Sequence, residues 1–276
     1  MENFMITMKK NKLFTFMCIL ILILISISLF APFIAPHDPL KTNMTNSLQG
    51  RSNDFPLGTD NLGRCLLSRV LYGASTSLKM TFCLVVIVFI VGTTVGTIAA
   101  YFGGIIDTII MRFSDVFLAF PGIIFAIAIA GVLGPSSMNT VLALAVVNWV
   151  KYARVSRSLV MSVRKKDYIK GAKMGGAKEY QIILKYILPN IIPSLIVMAT
   201  MDIGTMMLEI SSLSFLGLGA QPPTPEWGYM LNEGRNYMQT SPGLMIYPGA
   251  AIFITVMIFN LLGDSIRDIL DPNKEY

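Results

Sequence analysis

Apolar and polar positions alternate along this chain on the scale of whole helices. Residues 13–35 are apolar almost throughout, and the next comparable run, "LKMTFCLVVIVFIVGTTVGTIAAYF", covers residues 78–102. Further runs span residues 113–133, interrupted by Pro121, then 138–152, 191–213 and 244–262. A hydrocarbon core about 30 Å thick takes roughly 20 apolar residues of helix. Five runs meet that length and the short 138–152 run makes a sixth. The pattern predicts an all-α membrane protein with six transmembrane helices. The first run is too long for a signal peptide and no A-x-A-like site follows it, so it is expected to remain as an anchor. Residues 1–77 then form an anchor helix and outer loop. Residues 78–276 form a five-helix core with a loop at about 151–190.

Composition agrees with that reading. The chain is 54% hydrophobic and 14% charged, with mean hydropathy +0.63, against roughly 25% charged residues in soluble domains. One His and three Cys leave little material for a metal cluster or a disulfide scaffold; Cys18 and Cys83 lie in apolar runs, and only Cys65 sits in a loop. The net charge of +6 is concentrated rather than spread. Residues 151–185 hold ten Lys or Arg against two acids, whereas residues 217–243 hold Glu226, Glu233 and Arg235. By the positive-inside rule the basic loop and the Lys-bearing N-terminus (Lys9, Lys10, Lys12) are cytoplasmic. Six spans then place both termini inside. The basic run is a topology signal, and nucleic acid is not the expected partner.

Topology alone does not account for the order within "DYIKGAKMGGAKEYQIILKYILPN", residues 167–190. It reads as a short helix over 167–174, a break at Gly175-Gly176, and a second helix ending at Pro189. Tyr180, Ile183, Leu184 and Ile187 would form one amphipathic stripe. Such a pair of helices could lie on the lipid surface or project as a knob for a soluble partner. "GAKMGGAK" is not a phosphate loop: Ala177 separates Gly176 from Lys178, and Glu179 stands where Ser or Thr must hold magnesium.

The loop resembles the "Glu-Ala-Ala, three residues, Gly, nine residues, Ile-x-Leu-Pro" motif of permease subunits of binding-protein-dependent ABC importers. Lys170, Gly171 and Ala172 fall on its first positions, Gly176 on its Gly, and Leu188-Pro189 on its Leu-Pro; Lys170 replaces Glu, Gly171 replaces Ala and Tyr186 replaces Ile. "FPLGTDNLGRCLLSRVLYGASTSL", "LSFLGLGAQPPTPEWGYML" and "PGAAIFITVMIFNLLGDSIRDILDP" resemble signatures of the dipeptide, oligopeptide and nickel permeases, and point to the second (C-type) permease of such a system. This resemblance implies a type I ABC importer core in the cell membrane. It implies a sister permease, two cytoplasmic ATPase subunits and an extracellular or periplasmic substrate-binding protein as partners. ATP and Mg would be used by the ATPase subunits, with no cofactor on this chain. Lys170, Gly171, Ala172, Gly175, Gly176 and Pro189 would form the element that couples to the ATPase.

Other positions carry their own readings. Gly92, Gly96, Gly103 and Gly104 have the small-xxx-small spacing of close helix packing. Asn148 and Trp149 suit an interhelical bond and an interface anchor. Arg112 is expected to pair with Asp115 or Asp107, and Asp264, Arg267, Asp268 and Asp271 to close the chain at the cytoplasmic surface. "QPPTPEW", residues 221–227, is a stiff outer turn that could join residues 55–78 in receiving the binding protein.

Asp202 and Glu209, two turns apart, share one helix face within an apolar run. Asp202 is expected near the bilayer midplane, where a charge costs about 2.5–3.5 kcal/mol on insertion scales, so it faces a cavity or a partner. Either the acids bond neighbouring helices, or they and Met206 line a path for a cationic or amine-bearing substrate. "IPSLIVMATMDIGTMML" looks closer to nickel-import permeases than to peptide ones, chiefly through Asp202-Ile203-Gly204. A metal, free or chelated, with Asp202 as candidate ligand, is therefore favoured ahead of peptides. A proton- or sodium-coupled carrier would lack a use for the loop, and no evident inverted repeat supports one. A membrane enzyme would need a catalytic set, which His37 does not provide.

Overall fold

The computed structural model describes residues 12–270; Lys9, Lys10 and Asp271 lie outside them. The described residues form helices joined by loops. Helix α1 is Lys12–Ile34, α2 Leu66–Phe102, α3 Gly104–Leu118, α4 Gly122–Leu133 and α5 Ser137–Arg164. Helix α6 is Asp167–Met174, α7 Glu179–Phe215, α8 Trp227–Gly234 and α9 Gly243–Leu270. Four of the described helices (α1, α2, α7 and α9) are long and apolar enough to cross a membrane, and α3 with α4 makes a fifth if the bent pair counts as one span. Helix α5, with 28 residues, has the length but carries Lys151, Arg154, Arg157 and Arg164 in its second half.

The break expected at Pro121 is a bend of 87° between α3 and α4. Proline cannot donate to the preceding turn, and its ring blocks a straight continuation. Helix α2 starts at Leu66, so the division at residues 77/78 falls inside it. At about 1.5 Å per residue its 37 residues exceed the hydrocarbon thickness. The core lies where α2, α5, α7 and α9 meet, around Leu84, Val88, Leu144, Tyr152, Met207 and Ile210. Outward-facing Phe16, Leu22, Leu29 and Phe33 on α1 are exposed, as a lipid-facing helix requires.

Two of the four glycines explain the closest crossing. A Cβ on Gly96 would lie 2.1 Å from the Ala153 carbonyl oxygen, and one on Gly92 2.4 Å from Tyr152 Cβ. Only a bare backbone lets α2 and α5 approach so far, and Thr97 Oγ1 then meets Ser156 Oγ at 3.1 Å. Gly103 and Gly104 serve the turn into α3 instead, with φ of 70° and 57°, values that disfavour side chains.

The second loop helix does not end at Pro189. It runs through a π-helical turn at Ile183–Ile187 into the rest of α7. In an α-helix the Pro189 ring would strike the Lys185 carbonyl; the wider turn, closed by Leu188 N–H donating to Ile183 O, accommodates it. The extra residue also moves the buried stripe. Ile182, Ile187, Ile191 and Leu195 are buried, the first step being five residues, while Tyr180 and Leu184 of the expected stripe are exposed.

Candidate functional site

Asp202 and Glu209 face α5, and α5 answers each with a polar side chain. Lys151 Nζ donates to Asp202 Oδ1 at 2.6 Å. One turn earlier on α5, Asn148 Nδ2 donates to Glu209 Oε2 at 2.8 Å. The antiparallel helices thus form a polar seam two rungs long. Asp202 is buried, but the Lys151 side chain is 55% exposed. The Tyr152 hydroxyl lies buried next to the Asp202 carboxylate, and neither it nor Asp202 Oδ2 completes a hydrogen bond there.

The seam joins the two predicted acids and changes the chemistry expected of them. Asp202, the candidate metal ligand, is an ion-pair partner. Among the described residues no three His, Cys, Asp or Glu come together in a set that could hold a metal ion. Met206 packs in the core, 3% exposed, and does not line the seam. Lys151 was missed because it begins the basic run; Asn148 is the interhelical bond expected of it. Trp149 packs on Phe113 and Phe117, with ring centroids 6.3 and 5.8 Å away.

At one end of the bundle, the basic loop folds as a knob. Ile169 of α6 and Ile182 of α7 are buried against Tyr101, Val160 and Val163, and Lys173 Nζ lies 5.4 Å from the Tyr101 ring centroid. Between them the chain turns at Gly175 and at Gly176, whose φ is 79°. Lys170 pairs with Asp167 at 2.8 Å in full solvent. Gly171 and Ala172 lie on α6, and Met174 at its tip is 89% exposed. Arg112 does not bind Asp107 or Asp115: Asp107 accepts from Arg157 Nε and Nη2, and Asp115 pairs with Arg154. The cause is the long α5, which brings two arginines alongside α3.

The other end holds a buried charge network that local spacing does not reveal. Arg64 Nε meets Asp60 Oδ2 at 2.6 Å and Arg64 Nη2 meets Glu233 Oε1 at 2.8 Å. Arg69 bonds the same Glu233 and lies 3.4 Å from Asp60. Both arginines are at most 2% exposed. Glu226, fully buried, caps α8 by accepting from the Gly228 and Tyr229 N–H groups at 2.9 and 2.8 Å and from Ser77 Oγ at 3.0 Å. Burial pushes its carboxyl above the usual range against the pull of those donors. Nearby, a cavity of about 550 Å³ is lined by Pro36, His37, Tyr72, Thr224 and Pro225, among others; it brings the 221–227 turn together with residues from the end of α1 and the start of α2.

The chain resembles known proteins in both sequence and fold. Residues 92–276 match the family described as binding-protein-dependent transport system inner membrane component, and residues 1–50 match the N-terminal TM domain of oligopeptide transport permease C. The chain is 45% identical over 268 residues to the dipeptide transport system permease protein DppC of Alkalihalophilus pseudofirmus, covering 97% of this chain and 88% of that one. It is 40% identical over 255 residues to the nickel transport system permease protein NikC of Escherichia coli, covering 92% of each. A chain of the inward-facing MetNI methionine ABC transporter superposes with TM-score 0.59 at 20% identity, covering 72% of this chain and 95% of that one, which shows a shared fold.

Proposed function

The chain belongs to the family of binding-protein-dependent transport system inner membrane components, as a C-type permease of the peptide and nickel group and a subunit of an ABC importer; from that premise we propose that its cargo is a short peptide. One observation carries this reading. The exposed charge on the α5–α7 seam is the Lys151 ammonium, while Asp202 is occupied by it. An exposed ammonium repels a free divalent cation and attracts the carboxylate that every unmodified peptide carries. The 45% identity to a dipeptide permease supports it further.

In this reading the six runs cross the membrane with both termini cytoplasmic. The knob made by α6 and the start of α7 meets an ATPase subunit. Lys170, Gly171, Ala172, Gly175, Gly176 and Pro189 shape it, and exposed Met174, Tyr180 and Leu184 supply its apolar contacts. ATP and Mg belong to the two ATPase chains, and a sister permease completes the path. The outer cavity beside His37 and Thr224 suits a projecting side chain of a substrate-binding protein. A second reading, nickel or a nickel chelate, rests on the 40% identity to a nickel permease and on the Asp202-Ile203-Gly204 stretch. The test is uptake by the complete importer in a strain lacking it, with labelled dipeptide and labelled nickel in parallel. Peptide uptake that requires the ATPase chains supports the proposal; nickel uptake without peptide uptake overturns it.

A further inference from the structure

We infer that the α5–α7 seam is a two-ended peptide site, in which Lys151 takes the substrate's terminal carboxylate and Glu209 its terminal ammonium. The inference rests on the peptide reading and goes beyond it by assigning each end of the substrate to a side chain. Lys151 carries three donors on Nζ and spends one on Asp202 at 2.6 Å. That bond aims the ammonium, and its remaining donors belong to a side chain that is 55% exposed. Glu209 is oriented differently. Asn148 holds one oxygen, Oε2, at 2.8 Å, and the amide brings no charge of its own. The seam therefore presents one donor-rich cation and, at a separate rung, one carboxyl group held by an amide.

The surroundings favour a wet path over lipid. Lys151 is exposed on the seam, whereas the exposed Ser212 hydroxyl is satisfied within α7 by donating to Leu208 O at 2.7 Å. An exposed ammonium at membrane depth faces a cavity or a protein partner, since hydrocarbon does not solvate it. The separation also fits. The rungs lie seven residues apart on α7, about 10 Å, and three apart on α5, about 4.5 Å. An extended chain covers about 3.3–3.6 Å per residue, so about one to three residues bridge the two ends.

The experiment uses the complete importer in proteoliposomes with its binding protein saturated, so that selection before the membrane is held constant. Maximal uptake is compared for a free tripeptide, its C-terminal amide and its N-acetyl form. Lys151→Met should lower uptake of the free peptide about tenfold or more, the scale of a lost charge-assisted hydrogen bond, and leave the amide's rate as in the wild type. Glu209→Gln should do the same to the free peptide and spare the N-acetyl form. Because Lys151→Met leaves Asp202 unpaired, the double variant Lys151→Met/Asp202→Asn is run beside it and should show the same selectivity. Lys151→Arg, which keeps the charge, should retain the preference for the free carboxylate. Equal loss for free and blocked peptides in both the double variant and Glu209→Gln overturns the two-ended site while leaving the peptide cargo standing. A wild-type importer that moves nickel and no peptide overturns both.

Discussion

Replacing Glu233 by Gln tests the outer charge network most directly. Two guanidiniums, at most 2% exposed, share two carboxylates there, with Asp60 6% and Glu233 18% exposed at the side chain. The substitution keeps the shape and removes one negative charge. Arg64 and Arg69 would then share the charge of Asp60 alone, and because the amide keeps a single acceptor oxygen, one guanidinium loses its bond to residue 233 where Arg69 Nη1 already lacks a partner. Breaking a buried ion pair from one side costs about 3–5 kcal/mol. The partial exposure of Glu233 places the expected loss near the lower limit, about 3 kcal/mol, or on the order of 6 °C in the melting midpoint of a chain this size. The assay is thermal unfolding of the purified protein in detergent, followed through limited proteolysis of residues 36–65. An exposed control, Lys170→Ala, breaks a pair worth only a few tenths of a kcal/mol. Adding Arg69→Met to Glu233→Gln restores the balance of charge and should recover part of the loss. If Glu233→Gln melts within a degree of the Lys170→Ala control, the network does not hold the outer loop and the reasoning fails.

Three further tests probe other parts of the fold. Gly96→Leu drives a side chain into the Ala153 backbone and should cost about 1–3 kcal/mol or more, whereas Gly131→Ala on α4, with open space around it, should cause no loss, and up to about 1 kcal/mol of gain from helix propensity, in the same melting assay. Ile187→Ala, at a fully buried position, should cost about 2–5 kcal/mol, while Leu184→Ala, 59% exposed, should change little; the reverse order would restore the α-helical register. Glu226 contributes a pH dependence of definite sign. Its carboxyl is raised by burial, so the folded state binds a proton more tightly than the unfolded one. Stability is then highest below the unfolded carboxylate value and falls as pH rises toward the folded one. Glu226→Gln should flatten that fall above about pH 4, the ordinary glutamate value, and an unchanged profile would remove Glu226 as its source.

Much of this architecture is legible because membrane helices write their length and small-residue contacts directly into sequence. The apolar runs found the long helices, Pro121 found the bend, and the Gly92–Gly96 spacing found the α2–α5 crossing. Asp202 and Glu209 were placed on one face by counting turns. What stayed hidden depends on partners far away in the chain or on irregular backbone. Glu233 meets Arg64 and Arg69 across more than 160 positions, a separation no periodicity encodes. Arg112 seemed the natural partner of Asp107 and Asp115 by proximity, yet Arg154 and Arg157 reach them from α5. The π-turn before Pro189 slips the buried stripe by one residue, and a strict 3.6-residue count cannot anticipate it.

Lys151 shows why the seam itself was only half visible. A lysine at the head of a basic run is counted toward topology, and a span ending at residue 152 places it at the membrane surface. Helix α5 instead continues to Arg164, so that the same lysine lies alongside α7 rather than in a loop. Its long apolar stem lets the ammonium reach Asp202 while the rest of the side chain stays open. An unpaired Asp202 would be expensive in lipid; paired, it becomes the fixed base on which a single positive charge is presented. The acid that drew attention in the sequence is thus the support, and the charge offered to a substrate belongs to its partner.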